Sequence, residues 1–119
     1  RQMCIRDRFN YKYDLFGDNA LLLLNLSGHA AGQIGLMLET ENGKYFLIAD
    51  ACWNIKAITE NKLPSPVVRL FFDSWQDYKK SILKVKEFYN SNNSVKIIPT
   101  HCAATTDKLV SDIFFSNEL

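Results

Sequence analysis

Ile34-Gly-Leu-Met-Leu-Glu-Thr-Glu-Asn-Gly-Lys-Tyr-Phe-Leu-Ile-Ala-Asp50 is the stretch that decides the fold. Ile34 to Thr40 reads as a strand, and Tyr45 to Ala49 as its returning partner. Between them lies Glu41-Asn-Gly-Lys44, and Asn-Gly is the strongest short-range hairpin signal. The returning strand ends on an acid, Asp50. A carboxylate at the end of a buried strand is costly unless it is paired or bound to a cation.

Upstream, Ala20 to Leu26 is an apolar run broken only by Asn25, which suits a strand buried on both faces. Tyr11 to Leu15 reads as a short strand, joined to it by the turn residues Phe16 to Asn19. Ser27-Gly-His-Ala-Ala-Gly-Gln33 forms a loop with two glycines and the first of only two histidines.

Downstream, Trp53 to Thr59 reads as a helical turn. Pro64 and Pro66 enforce an extended or looped stretch. Val67 to Phe72 is apolar with no decisive period. From Asp73, an N-cap with Gln76 three residues on, a helix is predicted. Trp75, Tyr78, Ile82, Val85 and Tyr89 fall on one face of it at steps of three and four. Val95 to Ile98 is a short strand running into Pro99-Thr-His101, and Thr105 to Asp107 starts a last helix through Phe115. The order is strands, hairpin, helix, strand, helix. His29, Asp50 and His101 each follow a strand, where sheet-based folds commonly place their chemistry.

Composition narrows the function classes. The chain has 119 residues, 47% hydrophobic and 23% charged, with a formal net charge of +1. That is enough for one small domain, and no basic stripe points to nucleic acid. The run Ala20–Leu24 is far short of the roughly 20 residues a membrane span takes. Three cysteines, Cys4, Cys52 and Cys102, with no C-x-x-C pair, argue against a disulfide framework or a cysteine zinc site. Cys52 and Cys102 read as small buried thiols, and a reducing, cytoplasmic setting is the expectation. Residues 1–8 have no period, cap or turn logic. They read as a non-native segment, the translation of a sequencing adapter joined to an environmental gene fragment, leaving 9–119 as the domain; a native basic N-terminal arm is the alternative.

Imidazole nitrogen and carboxylate oxygen are ligands that zinc accepts. Spacing alone leaves both a metal site and core histidines open. Three motifs add a resemblance. Leu26-Ser-Gly-His-Ala-Ala-Gly-Gln-Ile-Gly35 resembles the P-G-H-T-x-G-H-x-G turn of metallo-β-lactamase-fold hydrolases. Tyr45-Phe-Leu-Ile-Ala-Asp-Ala-Cys-Trp53 resembles their L-x-G-D strand, and Ile97-Ile-Pro-Thr-His101 their final strand and histidine. The resemblance covers roughly residues 11 to 119.

It implies an α/β fold, the αβ/βα sandwich, of which this chain is the C-terminal half: a mixed sheet with flanking helices. It implies two divalent metal ions, zinc, with His29 on the first, His101 on the second and Asp50 bridging both. Gly28 and Gly32 would let the backbone turn around His29. The implied reaction is cleavage of an ester, lactone or thioester in a small-molecule substrate by metal-bound hydroxide. Asp50-Ala-Cys-Trp53 is similar to the D-A-S-Y stretch of bacterial quorum-signal lactonases, which puts Trp53 at the substrate; a glyoxalase II-like thioesterase is the other reading within enzymes. The family's H-x-H-x-D-H motif does not occur in this chain, and Gln33 stands where a second histidine is frequent. The fragment alone is therefore expected to be inactive. A non-catalytic binding or structural domain on the same fold is the alternative.

Overall fold

The structure is a computed structural model. It describes Phe9 and residues 12–115, with the side chains of 113–115 excepted. Cys4 and the segment 1–8 lie outside the described residues.

Among the described residues five strands form one sheet in the order β1-β2-β3-β4-β5: Lys12–Asp14, Leu21–Asn25, Ile34–Thr40, Gly43–Ala49 and Val95–Pro99. The first four pair antiparallel, and β5 pairs parallel to β4. The predicted hairpin is present, but its two loop residues are Glu41 and Asn42. Thr40 pairs with Gly43, which opens β4 at φ +132°.

A parallel partner requires a crossover. Here it carries α1 (Lys56–Thr59), a short 3-10 helix (Pro66–Phe71) and α2 (Trp75–Ser91); α3 (Ala103–Phe115) follows β5. The apolar run after Pro66, ambiguous in sequence, is the 3-10 helix, started by proline in its first turn. The N-cap of α2 is Ser74 rather than Asp73: its hydroxyl accepts from the Asp77 N–H at 3.2 Å. The buried face of α2 is Tyr78, Ser81, Ile82, Val85 and Phe88; Phe88 joins the predicted stripe, whose ends Trp75 and Tyr89 are partly buried against the core.

Strand side chains alternate between faces. Leu22, Leu24, Met37, Phe46, Ile48, Val95 and Ile97 point one way and meet Ala57, Ile58, Val85, Phe88 and Phe9 in one core cluster. Phe9, Phe46 and Phe88 pack edge to face at its centre. The opposite face carries Leu21, Leu23, Ile34, Leu36, Leu38, Leu47 and Ile98. These are half-buried or exposed. The expectation that β2 is buried on both faces is corrected: its pattern alternates, because the main core cluster lies on the side of α1 and α2, with Tyr45 of β4 buried on the other face. Among the described residues no helix is long and apolar enough to cross a membrane.

This topology positions the site. β2, β4 and β5 run in the same direction, so their C-terminal ends share one end of the sheet. The segments leaving those ends carry His29, Asp50 and His101.

Candidate metal centre

His29 sits in the β2–β3 loop, and the start of α2 holds that loop by three successive carbonyls. The Ser81 hydroxyl donates to the Ser27 carbonyl at 2.7 Å, the Ser74 N–H to Gly28 at 2.9 Å and the Asp73 N–H to His29 at 3.2 Å. Such closeness demands glycine at position 28. Its φ is +145°, and a Cβ there would lie 2.2 Å from the Tyr78 nitrogen. The His29 ring meets Phe72 at 5.0 Å and Trp53 at 5.9 Å, both edge-on.

Asp50 leaves β4 past an irregularity in the β4–β5 ladder between Leu47 and Ala49. Ala49 holds φ +49°, a left-handed conformation that costs a side-chain-bearing residue roughly 1–2 kcal/mol. The turn is closed by the Ala51 N–H donating to Ile48 at 3.1 Å, and the Thr100 N–H donates to Ala49 at 3.4 Å. That second bond ties the Asp50 segment to the His101 segment. His101 follows Pro99, which pairs with Ala49, and precedes Cys102, whose carbonyl accepts from the Thr106 N–H to start α3. The last helix therefore begins two residues before the predicted Thr105.

The three side chains come together. Asp50 Oδ2 lies 3.8 Å from His29 Nε2, and Asp50 Oδ1 lies 3.1 Å from His101 Nε2. The carboxylate thus stands between the histidines and shows a different oxygen to each. Neither approach is a hydrogen bond. Asp50 Oδ1 and His29 Nδ1 are buried with no hydrogen-bond partner among the described residues, and so is Gln33 Nε2. A buried carboxylate oxygen without a partner is unfavourable, and a cation at that point would satisfy it. In this respect the donor set fits divalent metal ions. It is not a ready cage for one ion: among the described residues, no group of three or more His, Cys, Asp and Glu side chains is arranged to hold a metal.

His29 and Asp50 are half-buried, whereas the His101 side chain is 63% exposed. Trp53 is half-buried beside His29 and Phe72. The two cysteines near the site are free and buried. Burial pushes the Cys52 thiol up to about 11, and it donates to the Asn54 carbonyl at 2.7 Å. It is a packed thiol, as the sequence suggests.

Sequence reasoning missed Phe72, Ser74, Tyr78 and Ser81, which seat His29. The aromatic run Phe71-Phe72…Trp75…Tyr78 was the available signal. Phe72, Trp75 and Tyr78 stack face to face, with centroids 4.5 to 5.7 Å apart.

No protein-family model matches the chain, and no curated protein matches it in sequence. Solved structures do share its fold. An N-acyl homoserine lactone hydrolase with the product N-hexanoyl-L-homoserine at its catalytic metal centre matches with a TM-score of 0.65 and 20% identity. The match covers 82% of this chain and 36% of that one. A mutant of AiiA from B. thuringiensis with N-decanoyl-L-homoserine at its active site matches equally well. A quorum-quenching N-acyl homoserine lactone lactonase matches at 19% identity, over 37% of its length. The fold is thus that of a segment of these lactonases, an α/β arrangement of a mixed five-stranded sheet with flanking helices. The chain spans little more than a third of the length of the structures it matches.

Proposed function

We propose that this chain is the C-terminal part of a metal-dependent hydrolase that cleaves a lactone, ester or thioester. His29, Asp50 and His101 would hold two divalent metal ions, zinc by ligand chemistry, with Asp50 shared between them. The observation that carries the reading is the Asp50 carboxylate, which stands between two imidazoles and offers one oxygen to each. The shared fold with lactone hydrolases supports it.

A pair of divalent ions supplies Lewis acidity toward a carbonyl and makes water a stronger acid near neutral pH. The chain's own residues do the positioning. The clamp from Ser74, Asp73 and Ser81 fixes the His29 loop, so the ring needs little reordering on binding. Phe72 and Trp53 pack edge-on against the His29 ring and cover part of it. The more open His101 leaves the approach for substrate on its side.

This chain supplies three candidate ligands. The remainder of a two-metal set would come from an upstream half of the domain, packed on the open sheet face. Calorimetric zinc titration tests the reading. The intact chain should bind zinc weakly, and Asp50→Ala should weaken binding at least about tenfold while turnover of lactones stays negligible in both. Equal zinc binding by the chain and by Asp50→Ala would refute it and leave a non-catalytic domain on the same fold.

A further inference from the structure

His101 is the most open of the three candidate ligands, with 63% of its side chain exposed, yet the residues on either side of it are pinned. A side chain this open depends for its direction on how its backbone is held. Before it, the Thr100 N–H donates to the Ala49 carbonyl at 3.4 Å. After it, Cys102 is buried and bonded at two places. The Cys102 carbonyl accepts from the Thr105 hydroxyl at 2.9 Å, and from both the hydroxyl and the N–H of Thr106 at 3.1 Å. Those bonds fix it to the first turn of α3. The Cys102 sulfur accepts from the Ala104 and Thr105 N–H groups of that same turn, and also from the Ile55 N–H, in the segment that follows Asp50.

The other end of that peptide group is held by the second buried thiol. Cys52 donates to the Asn54 carbonyl at 2.7 Å, so the Asn54–Ile55 peptide is gripped at its oxygen by Cys52 and at its N–H by Cys102. Cys52 stands two residues after Asp50, and Cys102 directly after His101. A peptide group is planar and stiff. It thus forms a strut between the two ligand-bearing segments, and the Thr100–Ala49 bond is a second tie. We propose that Cys102 is a positioning residue: through its sulfur and the Asn54–Ile55 peptide it sets where the His101 backbone stands relative to Asp50, and so maintains the 3.1 Å approach of the two side chains. A thiol suits the task, because it buries as a small apolar group while its sulfur still accepts a weak hydrogen bond. The inference rests on the hydrolase reading above only for the use made of His101, and the placement itself is tested without metal.

The test reads the nuclear Overhauser contact between the His101 ring and the Asp50 methylene in the metal-free full chain, with zinc affinity measured by calorimetry beside it. Cys102→Ala removes the acceptor, whereas Cys102→Ser keeps a hydrogen-bonding group in its place. Ile55→Pro removes the donor N–H, and the Ile55 φ of −55° is already near the value proline fixes. Ile55→Ala trims the same side chain but keeps the N–H. The contact should be present in the native chain, in Cys102→Ser and in Ile55→Ala. It should be lost in Cys102→Ala and Ile55→Pro, with zinc bound about tenfold more weakly by those two. A thiol that only fills space gives the opposite order at position 102, since alanine is apolar and a buried hydroxyl is costly. A sulfur that only caps α3 gives loss in Cys102→Ala but none in Ile55→Pro. Either pattern overturns the proposal, and so does a native chain without the contact. Should urea unfolding show that Cys102→Ala does not fold, the two Ile55 variants decide alone. The expected pattern of contacts with no zinc bound by the native chain removes the hydrolase reading and keeps the positioning role. Zinc bound equally by all variants, with the contact kept in all, removes the positioning role alone.

Discussion

Gly28→Ala should be among the most damaging single-methyl additions in this chain. The added carbon would lie 2.2 Å from the Tyr78 nitrogen and 2.3 Å from its Cα. Those are backbone atoms of α2 and cannot rotate aside. The loop must retreat by more than about 1 Å to reach ordinary contact, the kind of overpacking that costs roughly 1–3 kcal/mol. Retreat also breaks the bonds from Ser74 and Asp73 to the Gly28 and His29 carbonyls, at roughly 0.5–1.5 kcal/mol each. A φ of +145° adds strain of order 1 kcal/mol or more for alanine. The expected loss is about 3–7 kcal/mol, a large fraction of a small domain's stability. Gly32→Ala is the control. Gly32 also has positive φ, +72°, but nothing lies within 4 Å of the new carbon. It should cost about 1 kcal/mol. Urea unfolding of both variants measures the difference, and zinc titration reads His29 directly. Equal destabilisation by the two substitutions would refute the argument that α2 packs on Gly28 and thereby seats His29.

Two further outcomes follow from the geometry. Ala49→Gly releases the left-handed strain at φ +49° while adding freedom to the unfolded chain, for a net gain of about 0.5–1 kcal/mol in urea unfolding; a loss would mean Ala49 is unstrained. The Cys52 thiol, raised by burial from 9.0 to about 11, stays protonated in the folded chain after it ionises in the unfolded one. Its stabilising contribution is complete below pH 9.0 and lost as pH rises toward about 11. Tyr78, also raised by burial, acts with the same sign. Unfolding midpoints should fall across that window, and Cys52→Ala should flatten the fall.

Much of the fold was legible because its strands are short, apolar and punctuated. The turn at Glu41 to Gly43 and the period of Trp75 to Val85 are local signals. The three candidate ligands were singled out for the same reason: each is a polar residue within a few positions of the end of an apolar strand. What stayed hidden depends on distant partners. Ser81 looks like an ordinary helix serine until its hydroxyl reaches the Ser27 carbonyl across the fold. Ser74 rather than Asp73 caps α2, and the Asp73 and Ser74 N–H groups are both engaged by the His29 loop. The Val67 to Phe72 run could not be assigned because a 3-10 turn leaves no amphipathic period. The turn residues Glu41 and Asn42 were displaced by one from the expected pair because Gly43 pairs with Thr40 as part of the ladder.

The parallel pairing of β4 with β5 also sets an order of assembly. Strands β1 to β4 are neighbours in sequence as well as in space, so they can zip together from one turn to the next. β5 must wait for the whole crossover from Asp50 to Ser94 to be threaded, and the entropy of closing that loop precedes any reward from its contacts. His29 and Asp50 belong to the part that forms early; His101 arrives with β5. The meeting of His101 with Asp50 is therefore completed by the slowest-closing contact of the fold, and among the described residues β5 pairs with β4 alone, so loss of that one ladder would separate them.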